Sequence, residues 1–214
     1  MNPKRNLYLM ISHTDTGIGR IIRTISHYPY NHVSLSLDSD FRNWTAFARY
    51  RQDATFYGGL VSEPVERFLA GGCDTTVRIF KLEITEKKYG KLKRLFSRAD
   101  QPESGLLYNY FDILAAIFRR RARIPGAYTC LGFACTVLKK NYLNIKELND
   151  DLQRYMIYEG SLSELAADSG DRSAPYFDKI GRVRGFWRSF KQLFELIARA
   201  MGRRHTDMVM QQLQ

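Results

Sequence analysis

Cys130 and His32 are the two residues whose types and positions could together carry out acyl transfer. Cys130 stands at the predicted start of a helix, where backbone N–H groups and the helix dipole favour a thiolate and can bind an oxyanion. A cysteine nucleophile is activated best by a neighbouring imidazole. Of the four histidines in the chain, only His32 falls on a clearly patterned strand, which makes it the candidate base.

Residue types alone leave a structural interpretation open for both residues. A buried cysteine near a helix start is more often a small hydrophobic residue than a nucleophile. A histidine is more often a satisfied core or surface residue than a catalytic base. The choice between the two interpretations therefore depends on the elements that carry the two residues and on the motifs around them.

The segment that carries His32 alternates regularly between apolar and polar residues. Within residues 31–38, Val33 and Leu35 fall on one face, whereas His32 and Ser34 fall on the other. Such alternation is typical of a half-buried strand. Residues 43–49 are predicted to form its partner strand, joined to it through a hairpin connection.

The remaining patterns predict an α+β fold in one globular domain of 214 residues. Strands are expected at residues 7–12 and 75–84, with an irregular strand or loop at 56–61. Loop and short helix are expected over residues 143–181. Helices are predicted from Ile18 to before Pro29 and over residues 87–98, 108–118 (buried), 129–140 and 185–201.

Two short motifs resemble those of the YiiX-like, circularly permuted NlpC/P60 proteins. In that group a helix leads into a Pro-Tyr-Ser/Asn-His-Val segment whose histidine is the catalytic base, and residues 29–33 are similar to it. The group's second motif begins with a cysteine at a helix start, and residues 130–134 resemble it. The histidine precedes the cysteine here, as it does in the permuted members.

The resemblance implies a papain-like antiparallel sheet packed against helices, with residues 1–142 as the catalytic core. Residues 143–214 would form a C-terminal extension. It further implies a cysteine hydrolase or acyltransferase that acts on an amide or ester of a peptide, amidated or lipid substrate. Cys130 would be the nucleophile and His32 the base, and no cofactor is expected.

The residue that orients the histidine is not evident from the sequence. In many relatives a polar residue on the next strand has this role, but the matching position here is Ala46. A backbone carbonyl, a water molecule, Tyr8 or Ser12 are the alternatives, the last two as orienting or oxyanion-binding groups. A degenerate site that keeps Cys130 and His32 with little activity is also open.

The composition limits the partners and the compartment. A net charge of +11 and a pI near 9.7 predict a strongly positive face, yet no nucleic-acid-binding motif accompanies the charge. Three cysteines argue against a disulfide framework, and neither a signal peptide nor a membrane-spanning run is apparent. The expected location is therefore the cytoplasm, including the cytoplasmic membrane surface.

Two basic segments each admit two interpretations. The helix at residues 185–201 has an apolar stripe surrounded by arginines, which is expected to pack on the protein's own core. The alternative is a non-enzymatic protein that binds an anionic membrane through residues 185–204, or an acidic polymer. Likewise, residues 119–123 are expected to be a solvated helix end, with a phosphate or acidic-polymer site as the alternative.

Neither metal nor nucleotide binding is indicated. Cys73 and Cys135 form no Cys-x-x-Cys pair, and no histidine lies at ligand spacing from them. Cys135 is expected to be a buried small residue. No glycine-rich phosphate loop follows a predicted strand.

Overall fold

The computed structural model describes residues 4–14, 17–69, 74–165 and 175–202. Its centre is a six-stranded antiparallel sheet in the order β4-β3-β2-β1-β5-β8, and β6 pairs with β7 in parallel beside it. The strands are β1 (Lys4–Ser12), β2 (His32–Ser36), β3 (Asn43–Arg49), β4 (Gly58–Pro64), β5 (Thr76–Thr85), β6 (Leu107–Tyr108), β7 (Ala127–Tyr128) and β8 (Met156–Ser161).

Helices pack against this sheet, so the α+β class with an antiparallel sheet is confirmed. The helices are α1 (Gly17–Ser26), α2 (Val65–Leu69), α3 (Glu86–Phe96), α4 (Tyr110–Ile117), α5 (Cys130–Leu138), α6 (Ile145–Leu152), α7 (Leu162–Leu165) and α8 (Arg182–Ala200). The apolar residues expected along α1, namely Ile18, Ile21, Ile22 and Ile25, lie outside the described side chains.

The alternation of β1 separates two apolar clusters. Leu9 and its alternate neighbours pack with Phe133 of α5 and Leu148 of α6 in the main core. Tyr8 and Met10 point to the opposite face, where they join a smaller cluster. Because side chains of a strand alternate between faces, one strand serves both clusters. The sheet is thereby covered on both sides at its centre.

The antiparallel registers decide which residues meet at the site. Ser12, at the end of β1, lies opposite His32 at the start of β2. Trp44 of β3 lies opposite Glu63 of β4. The strand predicted at residues 43–49 has the bounds observed for β3. The irregular strand or loop expected at residues 56–61 is a strand from Gly58, and it continues to Pro64.

The sheet and its core continue past residue 142. Leu148 of α6 belongs to the main core, and β8 adds the sixth strand beside β5. The expectation of loop and short helix over residues 143–181 was therefore wrong for this strand. The sequence of β8 alternates only weakly between apolar and polar residues. The reason is that β8 is an edge strand, in which half-buried side chains alternate with exposed ones.

For the helix predicted at residues 108–118, the prediction that it is buried was wrong. Leu114 is 56% exposed and Phe118 is 75% exposed. The inward residue of α4 is instead Asp112, which is 5% exposed. A carboxylate is buried only when it is paired, and its partner, Arg121, belongs to the basic segment that follows.

The expectation that the stripe of the last helix packs on the core was also wrong. Phe186 and Phe194 of α8 are 64% and 61% exposed. The helix lies on the protein through the opposite side, where Gly185, Ser189 and Leu196 are buried. This contact uses Leu196 together with a small and a polar residue, so the sheet core does not bury the apolar stripe of α8.

Candidate active site

Cys130 is the first residue of α5, and the sequence before it fixes this helix start. Thr129 is the N-cap residue, and its side-chain oxygen accepts a hydrogen bond of 3.0 Å from the Gly132 N–H. The first N–H groups of a helix have no acceptor within the helix. The Cys130 N–H is therefore in a position to donate to an oxyanion formed next to the sulfur.

A buried ion pair holds the N-cap residue. The Thr129 hydroxyl donates to Asp112 Oδ2 over 3.1 Å. Both oxygens of Asp112 also accept from the Arg121 guanidinium, at 2.9 and 2.7 Å. Neither of the two interpretations given for residues 119–123 fits Arg121, because its mostly buried side chain forms a structural ion pair. Arg119 and Arg120 are exposed.

His32 lies between Cys130 and Glu63. Its Nε2 atom is 2.7 Å from Glu63 Oε2, and Cys130 is near enough to the ring to act on its charge. Since Nε2 faces the carboxylate, Nδ1 is the ring nitrogen left for the sulfur. His32 is 9% exposed and Cys130 is 5% exposed, so the contacts are shielded from bulk water. The two candidate residues of the sequence analysis are thus brought together.

Three groups fix the carboxylate of Glu63, which is 2% exposed. Besides His32, the Ser34 hydroxyl donates to Oε2 over 2.7 Å, and Arg67 Nε lies 3.5 Å from Oε1. Burial alone would raise the pKa of Glu63, but the charges of His32 and Arg67 and these hydrogen bonds lower it to about 2. Glu63 is therefore an anion at neutral pH.

The charge of Glu63 determines the protonation of His32. Burial alone would lower the pKa of His32, yet attraction to Glu63 and to Cys130, with a hydrogen bond to each, raises it to about 10. An imidazolium is therefore present at neutral pH. His32 therefore places a positive charge next to the Cys130 sulfur.

The groups considered in the sequence as orienting residues pack elsewhere or make no hydrogen bond with the ring. Tyr8 packs edge-to-face on Phe41, with 5.1 Å between ring centroids. Ser12 is fully buried opposite His32, and its hydroxyl has no hydrogen-bond partner. Ala46 offers no polar group. Glu63 on the next strand, β4, makes the orienting contact instead.

Sequence reasoning missed Glu63 because the strand was expected to stop at Val61. A signal was present, since Pro64 is the type of residue that ends a strand. Continuing the period-two alternation from Val61 would have placed Glu63 on the same face as Val61. Glu63 would then have been a candidate for the acid that faces the polar side of the strand carrying His32.

Tyr108 forms a further wall of the site. The pKa of its hydroxyl is raised well above the ordinary value, mainly by burial and secondly by the neighbouring Cys130. The Tyr110 ring packs against it in a tilted arrangement, with 4.8 Å between ring centroids. A phenol that stays protonated keeps its O–H as a donor. Tyr108 is thus a second group that could bind negative charge near the sulfur.

Cys135 has contacts of its own, and the groove beside α8 lies apart from this site. Cys135 is buried, and its sulfur accepts from the Tyr142 N–H over 3.4 Å, whereas Cys73 and His205 lie outside the described residues. Among the residues that the structure describes, no group of three acidic, histidine or cysteine side chains could hold a metal ion. A groove of about 810 Å³ opens between α8 and residues 100–107 and contains neither Cys130 nor His32.

No family model, curated protein or solved structure matches the chain. Within the described ranges, no helix is long and apolar enough to cross a membrane. The case for a function therefore depends on the geometry of Cys130, His32 and Glu63.

Proposed function

We propose that this protein is a cysteine hydrolase or acyltransferase of the papain-like, circularly permuted NlpC/P60 type, acting on an amide or ester carbonyl. The observation that carries the proposal is the position of His32, whose Nε2 atom lies 2.7 Å from Glu63 Oε2 and whose ring is a close electrostatic neighbour of Cys130. A nucleophile, a base and an acid that orients the base form the arrangement used for acyl transfer on several unrelated folds. The chain order of histidine, acid and cysteine is consistent with the permuted type.

In the first half of the reaction Cys130 is acylated. His32 holds the proton of the Cys130 thiol, and the thiolate attacks the carbonyl carbon, so that a C–S bond forms and the carbonyl oxygen becomes an oxyanion. The Cys130 N–H donates to that oxyanion, and Tyr108 is a second donor. When the C–N or C–O bond breaks, the leaving amine or alcohol takes the proton from His32.

The second half of the reaction releases the acyl group. His32, now neutral, accepts a proton from water or from another acceptor, which attacks the thioester carbonyl. The Cys130 thiolate leaves, and the His32 imidazolium is restored. Glu63 remains ionised throughout, because its pKa is held at about 2, and it compensates the charge of the imidazolium each time it forms.

Alkylation with iodoacetamide tests the activation of the sulfur. Cys130 and Cys135 are 5% and 7% exposed, so their accessibility is similar and their rates report chemistry. We expect Cys130 to be labelled much faster than Cys135 or Cys73 near neutral pH, measured for each cysteine by mass spectrometry. The preference should disappear in His32→Ala. Slow and equal labelling of all three cysteines would contradict the proposal.

A second candidate function is non-enzymatic binding at an anionic membrane surface, with the catalytic residues retained in a degenerate site. The outward apolar face of α8 favours membrane binding. The alkylation experiment separates a degenerate site from an active one, because a degenerate site would leave Cys130 no more reactive than Cys135.

A further inference from the structure

One face of α8 and the residue after it carry a row of uncovered apolar side chains. At a spacing of three or four residues they form one stripe along the helix. Their exposed fractions are 71% for Val183, 64% for Phe186, 63% for Trp187, 53% for Phe190, 61% for Phe194 and 68% for Met201. Soluble surfaces usually carry such residues singly, so a row of this length requires an explanation.

The opposite face fixes the orientation of α8. The Gln192 side-chain oxygen accepts a hydrogen bond of 2.8 Å from the Gly58 N–H, and Arg199 Nη1 donates to the Gly105 carbonyl over 2.9 Å. Arg199 is 5% exposed, and Leu196 is 1% exposed. Turning the helix to bury its aromatic stripe would break these contacts. The outward direction of the stripe is therefore a property of the folded protein.

Positive charge borders the stripe. Arg184, Arg188 and Lys191 are exposed, and at 100° per residue they lie between the apolar stripe and the buried face. The acidic residue of α8, Glu195, is paired with Arg199. The Arg188 guanidinium lies over the Tyr57 ring, 5.4 Å from its centroid. The exposed surface of the helix therefore combines aromatic and aliphatic side chains with the cationic side chains of Arg184 and Lys191.

The size of the stripe suits a binding site. An aromatic side chain offers about 150–250 Å², so the exposed fractions of the four aromatic residues leave on the order of 400 Å² uncovered. Contiguous apolar patches of this size mark interaction sites. The stripe is about half of the roughly 800 Å² per partner that a stable protein–protein interface buries.

We propose that this face of α8 docks the protein on the surface of an anionic lipid bilayer. The aromatic and aliphatic side chains would enter the interface between headgroups and acyl chains, and Arg184 and Lys191 would contact the lipid phosphates. A second copy of the chain fits this face less well, because pairing would bring two positive borders together in a protein of net charge +11.

The neighbouring helix α4 continues the same chemistry. Phe111 of α4 packs on the cluster that contains Leu196 of α8, so the two helices are attached at one place. Ile117 and Phe118 are 42% and 75% exposed, and Arg119 and Arg120 follow them at the surface. A second exposed apolar group with adjacent cations therefore stands at the C-terminal end of α4.

Tryptophan fluorescence tests the docking directly. Of the two tryptophans in the chain, Trp44 is 1% exposed and Trp187 is 63% exposed. With phosphatidylcholine vesicles that contain phosphatidylglycerol, we expect a blue shift of the emission and quenching by brominated acyl chains. Trp187→Phe should abolish both changes, because Trp44 stays in the core.

Paired variants separate the two contributions to docking. Phe186→Ser with Phe190→Ser should weaken vesicle binding by roughly tenfold or more, whereas Tyr155→Ser with Ile157→Ser, two exposed residues elsewhere, should not change it. The contribution of the charges is tested by the double reversal Arg184→Glu with Lys191→Glu. The matched control is the double reversal Lys87→Glu with Lys93→Glu on α3. Thermal unfolding of each variant verifies that it folds.

The outcome is independent of catalysis, because Cys130→Ser should bind vesicles as the natural protein does. Three results would overturn the proposal. They are an unchanged Trp187 emission with anionic vesicles, equal binding to vesicles without phosphatidylglycerol, and a dimer in sedimentation that shields Trp187 from quenchers without lipid. The last result would assign the face to a second copy of the chain.

Discussion

Nε2 of His32 lies 2.7 Å from Oε2 of Glu63, and both side chains are almost completely buried. A charge inside a protein is stable only with a partner. This pair therefore keeps an imidazolium next to Cys130 at neutral pH, where an isolated histidine would be mostly neutral. The chemistry proposed for Cys130 depends on this relationship.

Glu63→Gln is expected to lower the rate of Cys130 acylation by roughly 100-fold or more, because the neutral amide no longer stabilises the imidazolium. In the natural protein the alkaline limb of the pH–rate profile should fall near the His32 pKa of about 10. In Glu63→Gln that limb should move to lower pH. A profile that keeps its alkaline limb would show that Glu63 does not control His32, and Glu103→Gln, an exposed acid, serves as the control.

The same pair predicts how stability changes with pH. The pKa of His32 rises from 6.5 to about 10 on folding, so its contribution is complete below pH 6.5 and is lost as the pH rises through about 10. The pKa of Glu63 falls from 4.5 to about 2, so its contribution is complete above pH 4.5 and is lost as the pH falls through about 2.

Urea unfolding should therefore give a free energy of unfolding that declines between pH 6.5 and about 10, by on the order of 2–4 kcal/mol. His32→Gln should flatten this decline. His13→Gln should not, because the His13 ring contacts the Pro29 carbonyl rather than a carboxylate. An equal slope in the protein and in His32→Gln would contradict the assigned ion pair.

The N-cap of α5 is expected to contribute to stability and to the reactivity of Cys130. Thr129→Ala removes the acceptor of the Gly132 N–H and the link to Asp112. We expect a loss of about 1 kcal/mol in the free energy of unfolding, together with slower alkylation of Cys130. Thr129→Ser should restore both, since its hydroxyl can make the same bonds. Restoration of neither property would rule out this role for the hydroxyl.

Arg121 and Arg123 provide a matched comparison of a buried and an exposed arginine. Arg121→Met leaves the Asp112 carboxylate buried without its guanidinium, and we expect a cost of about 3–5 kcal/mol. Arg123→Met removes an exposed contact with Asn141 and should cost less than about 0.5 kcal/mol. Similar losses in the two variants, measured by urea unfolding, would refute the structural role of the Asp112 pair.

Local patterns were sufficient to predict the strand of His32, its partner β3 and the helix that begins at Cys130. Each of these follows from residue periodicity within one short segment. The acid next to His32 was not predicted, because Glu63 is 31 residues away in the chain and meets the ring only through the pairing of β2, β3 and β4. Such a contact depends on strand order, which no local pattern contains.

The last helix shows a different limit of what can be predicted from the sequence. The spacing of Phe186, Phe190 and Phe194 predicts that α8 has an apolar face, and the structure contains that face. Periodicity does not determine which face turns inward. That choice depends on distant partners, among them the Gly58 N–H and the Gly105 carbonyl that bind the opposite side.

Acylation by an activated ester is the most direct test of the proposed chemistry. The protein would be incubated with p-nitrophenyl acetate, quenched in acid and digested, and acetylation of each cysteine would be measured by mass spectrometry. We expect acetyl transfer to Cys130, strongly reduced in His32→Ala and in Glu63→Gln. Acetylation of Cys130 at an equal rate in all three proteins, or none on Cys130, would contradict the account.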